Sequence, residues 1–428
     1  MAPTRTMAPS GRWRRAGGRA LCAAVTVAAV LAGCTSTSTD GRRDTDKAVV
    51  GDDSAGLSDT EIHVGVVVGN KQFADAAVGI QARFQQANDA GGVHGRKIVV
   101  DKVADDGGTA ASAVTAVRSL VQQDGVFALV TTSSFLANTK PFIEQQGVPT
   151  FGFGFDDAWC NSDYTFAYNG CPAGTTAHTS NIAHFVGQLF PDKTVKGHTI
   201  AVVGDDGASS MRTARLYASV IKAQGGNLVL TQNTMPGATS APVSDYTPYA
   251  TEVMRSAGGK APEYVMTITT AQNTLGMTKA LLGAGYRGIR QDFTMYDPRL
   301  VRAAAGGNEL MSMQPWEVDT PRMKESIAAI RAVKADQRLT LPLGYGYWSA
   351  DMFVKMLEKA GKDLSRSSLV TMLNDDFSMV DGEGVGKLEF PRMHGESAGC
   401  LAWVSSDGKK YTVRAKLSCV ELIDNPVA

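Results

Sequence analysis

The chain has 428 residues, 42 basic and 42 acidic side chains, and 43% hydrophobic residues. That balance excludes the strongly basic surface a nucleic-acid binder needs, and the length allows two domains with full cores. Six cysteines without a paired C-x-x-C spacing, and six histidines without a local ligand pattern, argue against a metal site.

The first 33 residues hold five arginines and no acid. Arg12, Arg14, Arg15 and Arg19 precede an apolar run from Ala20 to Leu31. A basic start, a short apolar stretch and a small-residue end describe a secretory leader rather than a membrane span. The end reads Leu31-Ala32-Gly33-Cys34, which resembles the bacterial lipobox. That resemblance implies cleavage before Cys34, a lipid on this cysteine, and an exported protein anchored to the outer face of the bacterial cell membrane. A plain secretory leader with an incidental cysteine is the alternative. Without the leader, 37 basic residues face 42 acidic ones, so the remainder is mildly acidic. Residues 34–57 show no apolar periodicity and read as a flexible tether.

Ile62 to Val68 is an apolar, valine-rich run that suits a buried parallel strand. A polar turn from Gly69 to Asp75 follows. Ala77, Ile80, Phe84 and Ala87 then recur at helical spacing, and Gly91-Gly92 supplies the left-handed conformation that closes a helix. Ile98 to Val100 begins a second strand. The alternation continues with a helix over Ala113 to Gln123, a strand over Phe127 to Val130, a helix around Asn138 to Gln146, and a strand over Val148 to Phe153. It restarts with a helix from about Thr179 to Leu189 and a strand over Thr199 to Val203. The run "MRTARLYASVIKAQGG" repeats the ending of a helix on a glycine pair. Tyr264 to Ile268 and Phe293 to Tyr296 read as strands, with a helix over Leu275 to Gly285 between them. Strands separated by helices imply an α/β protein with two parallel sheets and right-handed crossovers.

Four cysteines remain beyond Cys34, which allow three pairings. Cys160 and Cys171 flank a short loop. Cys400 and Cys419 bracket a hairpin turning at Asp407-Gly408. Sequence proximity favours these two bridges, each contributing roughly 3 kcal/mol by loop entropy.

The run "IHVGVVVG" with "GIQARFQQANDAGGVHGRKIVV" resembles the opening of the type I periplasmic solute-binding proteins, in the leucine/isoleucine/valine-binding branch that serves ABC importers. Asn88, Gly91, Gly92, Val93, Gly95 and Arg96 match the ending of the family's first helix, and Asp105-Asp106 follow. "LPLGYGYWSADMFVKMLEKAGKDLSRSSLVTMLN" and "GVGKLEFPRMHG" are similar to its late helix pair and closing strand region. The resemblance runs from Leu57 to about Val413. It implies two Rossmann-like lobes joined by three crossovers, near Pro172, Pro315 and Gly386. One lobe would then take residues 58–172 and 316–386, the other 173–315 and 387–428. It also implies a small-molecule ligand held between the lobes and delivered to ABC permease subunits in the membrane. The implied cargo is a branched-chain or other small amino acid, with room for amides or aromatic acids.

Small molecules bind beyond the carboxyl ends of strands in such sheets, so the candidate site residues lie on those loops. Phe73 stands about where relatives place an aromatic. Ser133 and Ser134 end a strand where relatives use a serine, and hydroxyls with free helix N–H groups suit a carboxylate; a plain helix cap is the alternative. Gly154 and Phe155 sit in a third loop that departs from the family, with aromatics where relatives have small residues; Phe155 is otherwise core. Asp206 and Ser209 occupy a loop where the family's tyrosine is missing. Asp206 there either pairs with a ligand ammonium or caps the next helix. Thr269 and Thr270 end a strand, as does Tyr296. Trp316, beside the second crossover, is a lid or hinge aromatic or else core.

An enzyme reading finds little support. Gly69-Asn70-Lys71-Gln72-Phe73-Ala74 replaces the G-x-G-x-x-G of a dinucleotide site, and neither a G-x-S-x-G elbow nor a phosphate loop occurs. No cofactor is expected. A second reading is a sensor that passes its signal to a membrane receptor or kinase, since one fold serves both roles.

Overall fold

The computed structural model describes residues 49–172, 177–237, 240, 242–380 and 383–427, without the side chains of Asn70 and Lys71. The leader, Cys34 and most of the tether lie outside the described residues. The end of the tether is packed rather than free. Val50 donates its N–H to Gln145 at 2.9 Å, and the Asp53 carboxylate accepts from Ser367 N–H and hydroxyl at 2.6 and 2.7 Å.

The first lobe alternates strand and helix. Its order is β1 (Glu61–Val68), α1 (Asn70–Phe73), α2 (Asp75–Asp89), β2 (Lys97–Asp105), α3 (Ala110–Gln122), β3 (Ala128–Thr131), α4 (Lys140–Gln146), β4 (Thr150–Gly152) and β5 (Thr165–Ala167). The strands form one all-parallel sheet in the order β2-β1-β3-β4-β5. The alternation of apolar strands with amphipathic helices requires this: helices cover the sheet, so β1, β3, β4 and β5 are buried almost throughout, and the edge strand β2 is largely exposed. Part of the turn after β1 is helical: Gly69 caps α1, and α2 starts at Asp75. Gly91 and Gly92 follow α2 with φ of 103° and 76°.

The second lobe runs β6 (His178–Thr179), α5 (Ile182–Gly187), β7 (Thr199–Asp205), α6 (Ala208–Ala223), β8 (Asn227–Met235), α7 (Thr247–Arg255), β9 (Tyr264–Ile268), α8 (Ala271–Gly283), β10 (Ile289–Asp292) and β11 (Gly307–Met311). The chain then returns to the first lobe with α9 (Pro321–Val333), α10 (Leu341–Ala360), α11 (Arg366–Asn374) and the pair β12 (Phe377–Met379) and β13 (Leu388–Phe390). It ends with β14 (Cys400–Ser406), β15 (Tyr411–Cys419) and β16 (Ile423–Asp424). The second sheet has the order β15-β14-β11-β10-β9-β7-β8. Its parallel strands β7 to β11 carry an antiparallel hairpin, β14 and β15, at one edge.

Three passages therefore join the lobes. The third lies beyond Gly386. Phe390 still belongs to the first lobe, its ring centroid 5.1 Å from that of Phe166, and the chain enters the second sheet at Cys400. The two disulfides pair Cys160 with Cys171 and Cys400 with Cys419.

One strand differs from its sequence reading. Phe293 to Tyr296 is not strand; β10 stops at Asp292. The cause is local. The Asp292 carboxylate accepts the N–H groups of Thr294 and Met295 at 3.1 and 3.0 Å, an Asx-type turn that competes with the sheet ladder.

Helices α2 and α10 form the main seam of the first lobe. A Cβ on Gly79 would collide with the backbone of Leu343, and one on Gly346 with that of Ala76. The glycines let the two helices approach closely. Between them the buried Asp351 carboxylate receives Arg83 Nε and Arg322 Nη2 at 2.5 Å and Lys355 Nζ at 2.8 Å. Burial alone would push this carboxyl up, but the charges of Arg83, Lys355 and Arg322 outweigh it and hold the group well below the usual carboxylate range.

Candidate functional site

A cleft of about 570 Å³ opens at the strand ends of both lobes. The first lobe contributes Gln72 and Phe73 from α1, Phe155 beyond β4, and Leu341, Pro342 and Tyr345 at the head of α10. The second contributes Pro236 and Gly237 beyond β8, Thr270 to Asn273 at the start of α8, and the segment Phe293 to Leu300 beyond β10. These are the places where parallel strands deliver their loops.

The first-lobe wall is aromatic. Phe73 and Phe155 meet edge to face at 5.0 Å. Phe155 contacts Phe153 at 4.6 Å, and Phe153 stacks on Tyr345 at 3.9 Å. Such pairs add about 0.5–1.5 kcal/mol beyond area burial, so the wall is a fixed surface.

The second-lobe wall is held by hydrogen bonds. Thr270 caps α8 by accepting Asn273 N–H at 3.2 Å. Asn273 donates to the carbonyl of Pro236 at 2.9 Å and accepts from the Tyr246 hydroxyl at 2.9 Å. The Tyr296 hydroxyl donates to Glu317 at 2.5 Å and accepts Trp316 N–H at 2.8 Å. Burial, with Glu317 beside it, raises the Tyr296 phenol well above its ordinary value. Asp297 and Arg299 are the charged lining residues among those described, and they pair with each other. Arg299 Nε lies 3.0 and 2.9 Å from the two Asp297 oxygens, and Nη2 lies 2.5 Å from Oδ2. Asp75 of the first lobe stands 3.8 Å from the same guanidinium.

The structure brings together Phe73, Phe155, Thr270 and Tyr296 as lining residues. It sets the other expected residues apart from that surface. Ser133 is fully buried; its hydroxyl donates to Asp106 at 2.5 Å and accepts Phe135 N–H at 3.1 Å, a local turn that occupies the oxygen. Ser134 is half-buried beside it. Gly154 donates its N–H to the Asn169 side chain at 2.6 Å and is not among the cleft-lining residues. Asp206 accepts Gly237 N–H at 2.7 Å. Ser209 donates to the Phe155 carbonyl, a contact between lobes. Thr269 donates to Asp205 at 2.5 Å. Trp316 is 3% exposed, with its ring N–H on the Thr340 carbonyl at 3.1 Å, so it is core at the second crossover and not a lid. For Ser133, Asp206, Ser209, Thr269 and Trp316 a neighbouring backbone or carboxylate group claims a polar atom first.

Sequence reading places Asp297 beside Tyr296 at a strand end but passes over Tyr345, Phe293, Asn273 and Arg299, the partner of Asp297. Thr340 and Pro342 start a helix, and a tyrosine one turn in from such a start was a signal for Tyr345. Nothing local marked Asn273.

Among the described residues no helix is long and apolar enough to cross a membrane, and no cluster of three or more His, Cys, Asp or Glu is placed to hold a metal ion.

Two lobes with strand ends facing a shared cleft, joined by three chain passages, define a two-lobed solute-binding fold. A family model described as periplasmic binding protein matches residues 68–410, and the chain belongs to that family, in its type I, leucine/isoleucine/valine-binding-protein-like branch. Membership makes it a solute-binding protein of the ABC-transporter type with an extracytoplasmic location. The fatty acid ABC transporter substrate-binding protein from Thermomonospora curvata superposes with a TM-score of 0.70 at 19% identity, covering 86% of this chain and 95% of that one. A solute-binding protein of an ABC transporter from R. palustris, in complex with 4-hydroxybenzoate, gives 0.65 at 16% identity, over 86% and 98%. The leucine-, isoleucine-, valine-, threonine- and alanine-binding protein from Brucella ovis, in a closed conformation, gives 0.67 at 14% identity, over 85% and 95%. A search of curated protein sequences finds no match.

Proposed function

We propose that the protein is the lipid-anchored solute receptor of an ABC importer, and that its cargo is a small zwitterion with an apolar or aromatic body. A branched-chain or aromatic amino acid fits this description. The observation that supports it is the pairing of Asp297 with Arg299 opposite an aromatic wall. The lining offers one charge of each sign, as a zwitterion does. Its ammonium replaces Arg299 on Asp297, and its carboxylate replaces Asp297 on Arg299, in a fork geometry arginine favours. Phe73, Phe155 and Tyr345 then cover the apolar body. Contacts with both lobes favour the closed arrangement, and the closed form delivers the solute to membrane permease subunits. An affinity near 1 μM, about −8 kcal/mol, suits capture.

The anchor rests on the basic leader and the Leu31-Ala32-Gly33-Cys34 run. Replacing Cys34→Ser is expected to release the protein from membranes into the medium.

Calorimetry with leucine, phenylalanine, 4-hydroxybenzoate and a fatty acid tests the cargo. The two amino acids are expected to bind, and Arg299→Ala to weaken them at least tenfold. Binding of the plain acids alone would overturn the zwitterion reading.

A further inference from the structure

Beneath the second-lobe wall lie two buried carboxyl groups that the proposed function does not use. Asp292 ends β10, and Glu309 faces it across the parallel register on β11. They are 7% and 2% exposed. Both reach the same donor: Met295 N–H lies 3.0 Å from Asp292 Oδ1 and 2.9 Å from Glu309 Oε2. Two carboxylates converging on one N–H in a dry interior repel each other unless a proton lies between them. A second observation agrees. Glu309 Oε1 is fully buried and has no donor, yet the Asp292 carboxyl is within hydrogen-bonding reach. A buried acceptor rarely goes unpaired, and a proton on one of the two acids supplies the missing donor.

The groups facing the pair do not replace that proton. Arg290, on the same strand, spends Nη2 on the Ala305 carbonyl at 2.5 Å, and among the described residues it forms no ion pair with either acid. From β9, the Tyr264 hydroxyl donates to Gln291. From β15, the Tyr411 hydroxyl donates to the Met295 carbonyl. From α10, Tyr345 contributes a phenol whose ionisation the Glu309 charge opposes. Asp297 is held by Arg299, and Glu317 by Tyr296. Burial raises the carboxyl groups of both Asp292 and Glu309; Asp292 raises Glu309 further, whereas the hydrogen bond with Glu309 and the charge of Arg290 offset part of the rise of Asp292.

We propose that Asp292 and Glu309 share one proton and that this proton holds the Phe293–Arg299 wall of the cleft in position. The pair fixes Thr294 and Met295 directly, and Tyr411 clamps the next peptide groups by accepting Asp297 N–H at 3.3 Å. Asp292 and Glu309 are thus positioning residues for the wall rather than ligand contacts. Opening the wall exposes the acids to water, where they ionise and release the proton.

The test needs no ligand, so its outcome is independent of the cargo reading. Amide hydrogen exchange of Thr294 and Met295 is followed from pH 5 upward, as protection relative to β7 amides. If opening releases one proton, protection falls about tenfold per pH unit until the closed pair itself ionises. Infrared spectra of the intact protein at neutral pH are expected to show a buried protonated carboxyl band that Glu309→Gln removes, and the same variant flattens the pH slope. A flat slope in the wild-type chain, or an unchanged band in the folded variant, would overturn the proposal. Should Glu309→Gln fail to fold, the wild-type slope alone decides.

Discussion

Two buried acid sites, one in each lobe, are neutralised in opposite ways. In the first lobe, Asp351 is surrounded by Arg83, Arg322 and Lys355 from three helices. In the second, Glu309 is placed against another acid, Asp292. A carboxylate among cations stays ionised and ties α2, α9 and α10 together at any physiological pH. A carboxyl beside a carboxyl must keep a proton, so its hold on the structure depends on pH. The first lobe's cleft wall is an aromatic surface, and the helix seam of that lobe holds a permanent ion cluster. The second lobe's wall is a hydrogen-bonded loop standing on titratable groups.

The largest expected effect breaks the first-lobe side of this contrast. Asp351→Asn leaves buried cations without their counter-charge and is expected to cost about 3–5 kcal/mol in urea unfolding. The pH dependence should have opposite signs at the two acid sites. The folded pKa of Asp351 is depressed, so its contribution is complete above the unfolded value of about 4 and is lost progressively as pH falls from there through the lower folded value. The pKa values of Asp292 and Glu309 are raised, so their contribution is complete below about 4 and declines as pH rises toward the folded values. Unfolding curves across pH are expected to lose their acid limb in Asp351→Asn and their alkaline decline in Glu309→Gln.

A smaller effect sharpens the second-lobe side. Tyr296→Phe leaves Trp316 N–H and Glu317 without their shared hydroxyl and is expected to cost about 1–3 kcal/mol. Equal stability in this variant would show that packing, not hydrogen bonding, holds that wall.

The smallest effect concerns the contact between the lobes. Arg212 of α6 pairs with Asp157 at the cleft edge, with both side chains more than a third exposed. Arg212→Ala is expected to change stability by less than about 1 kcal/mol. Small-angle scattering of the variant should show a larger radius of gyration than the wild type if the pair favours the closed arrangement, and an equal radius would remove it from that role.

The sequence by itself determined the sheets and their covering helices. Apolar runs at 62–68, 127–130, 199–203 and 264–268, each followed by a helical pattern, leave little choice but parallel strands covered on both faces. Glycine pairs marked helix ends at Gly91-Gly92, and nearness in sequence favoured the two disulfides. Lining positions in short loops directly after strands, such as Phe73 and Thr270, were within its reach because strand direction fixes where such loops emerge. Tertiary structure decided the rest. It placed Asp106 where it takes the Ser133 hydroxyl. It brought Tyr345 on α10 next to Phe153 and Phe155, nearly two hundred residues away in the chain. It set Glu309 beside Asp292, and with that pairing β10 ends one residue before the cleft wall begins. Local patterns report which face of an element is apolar; which polar atom meets which is settled only when distant segments compete for the same few donors.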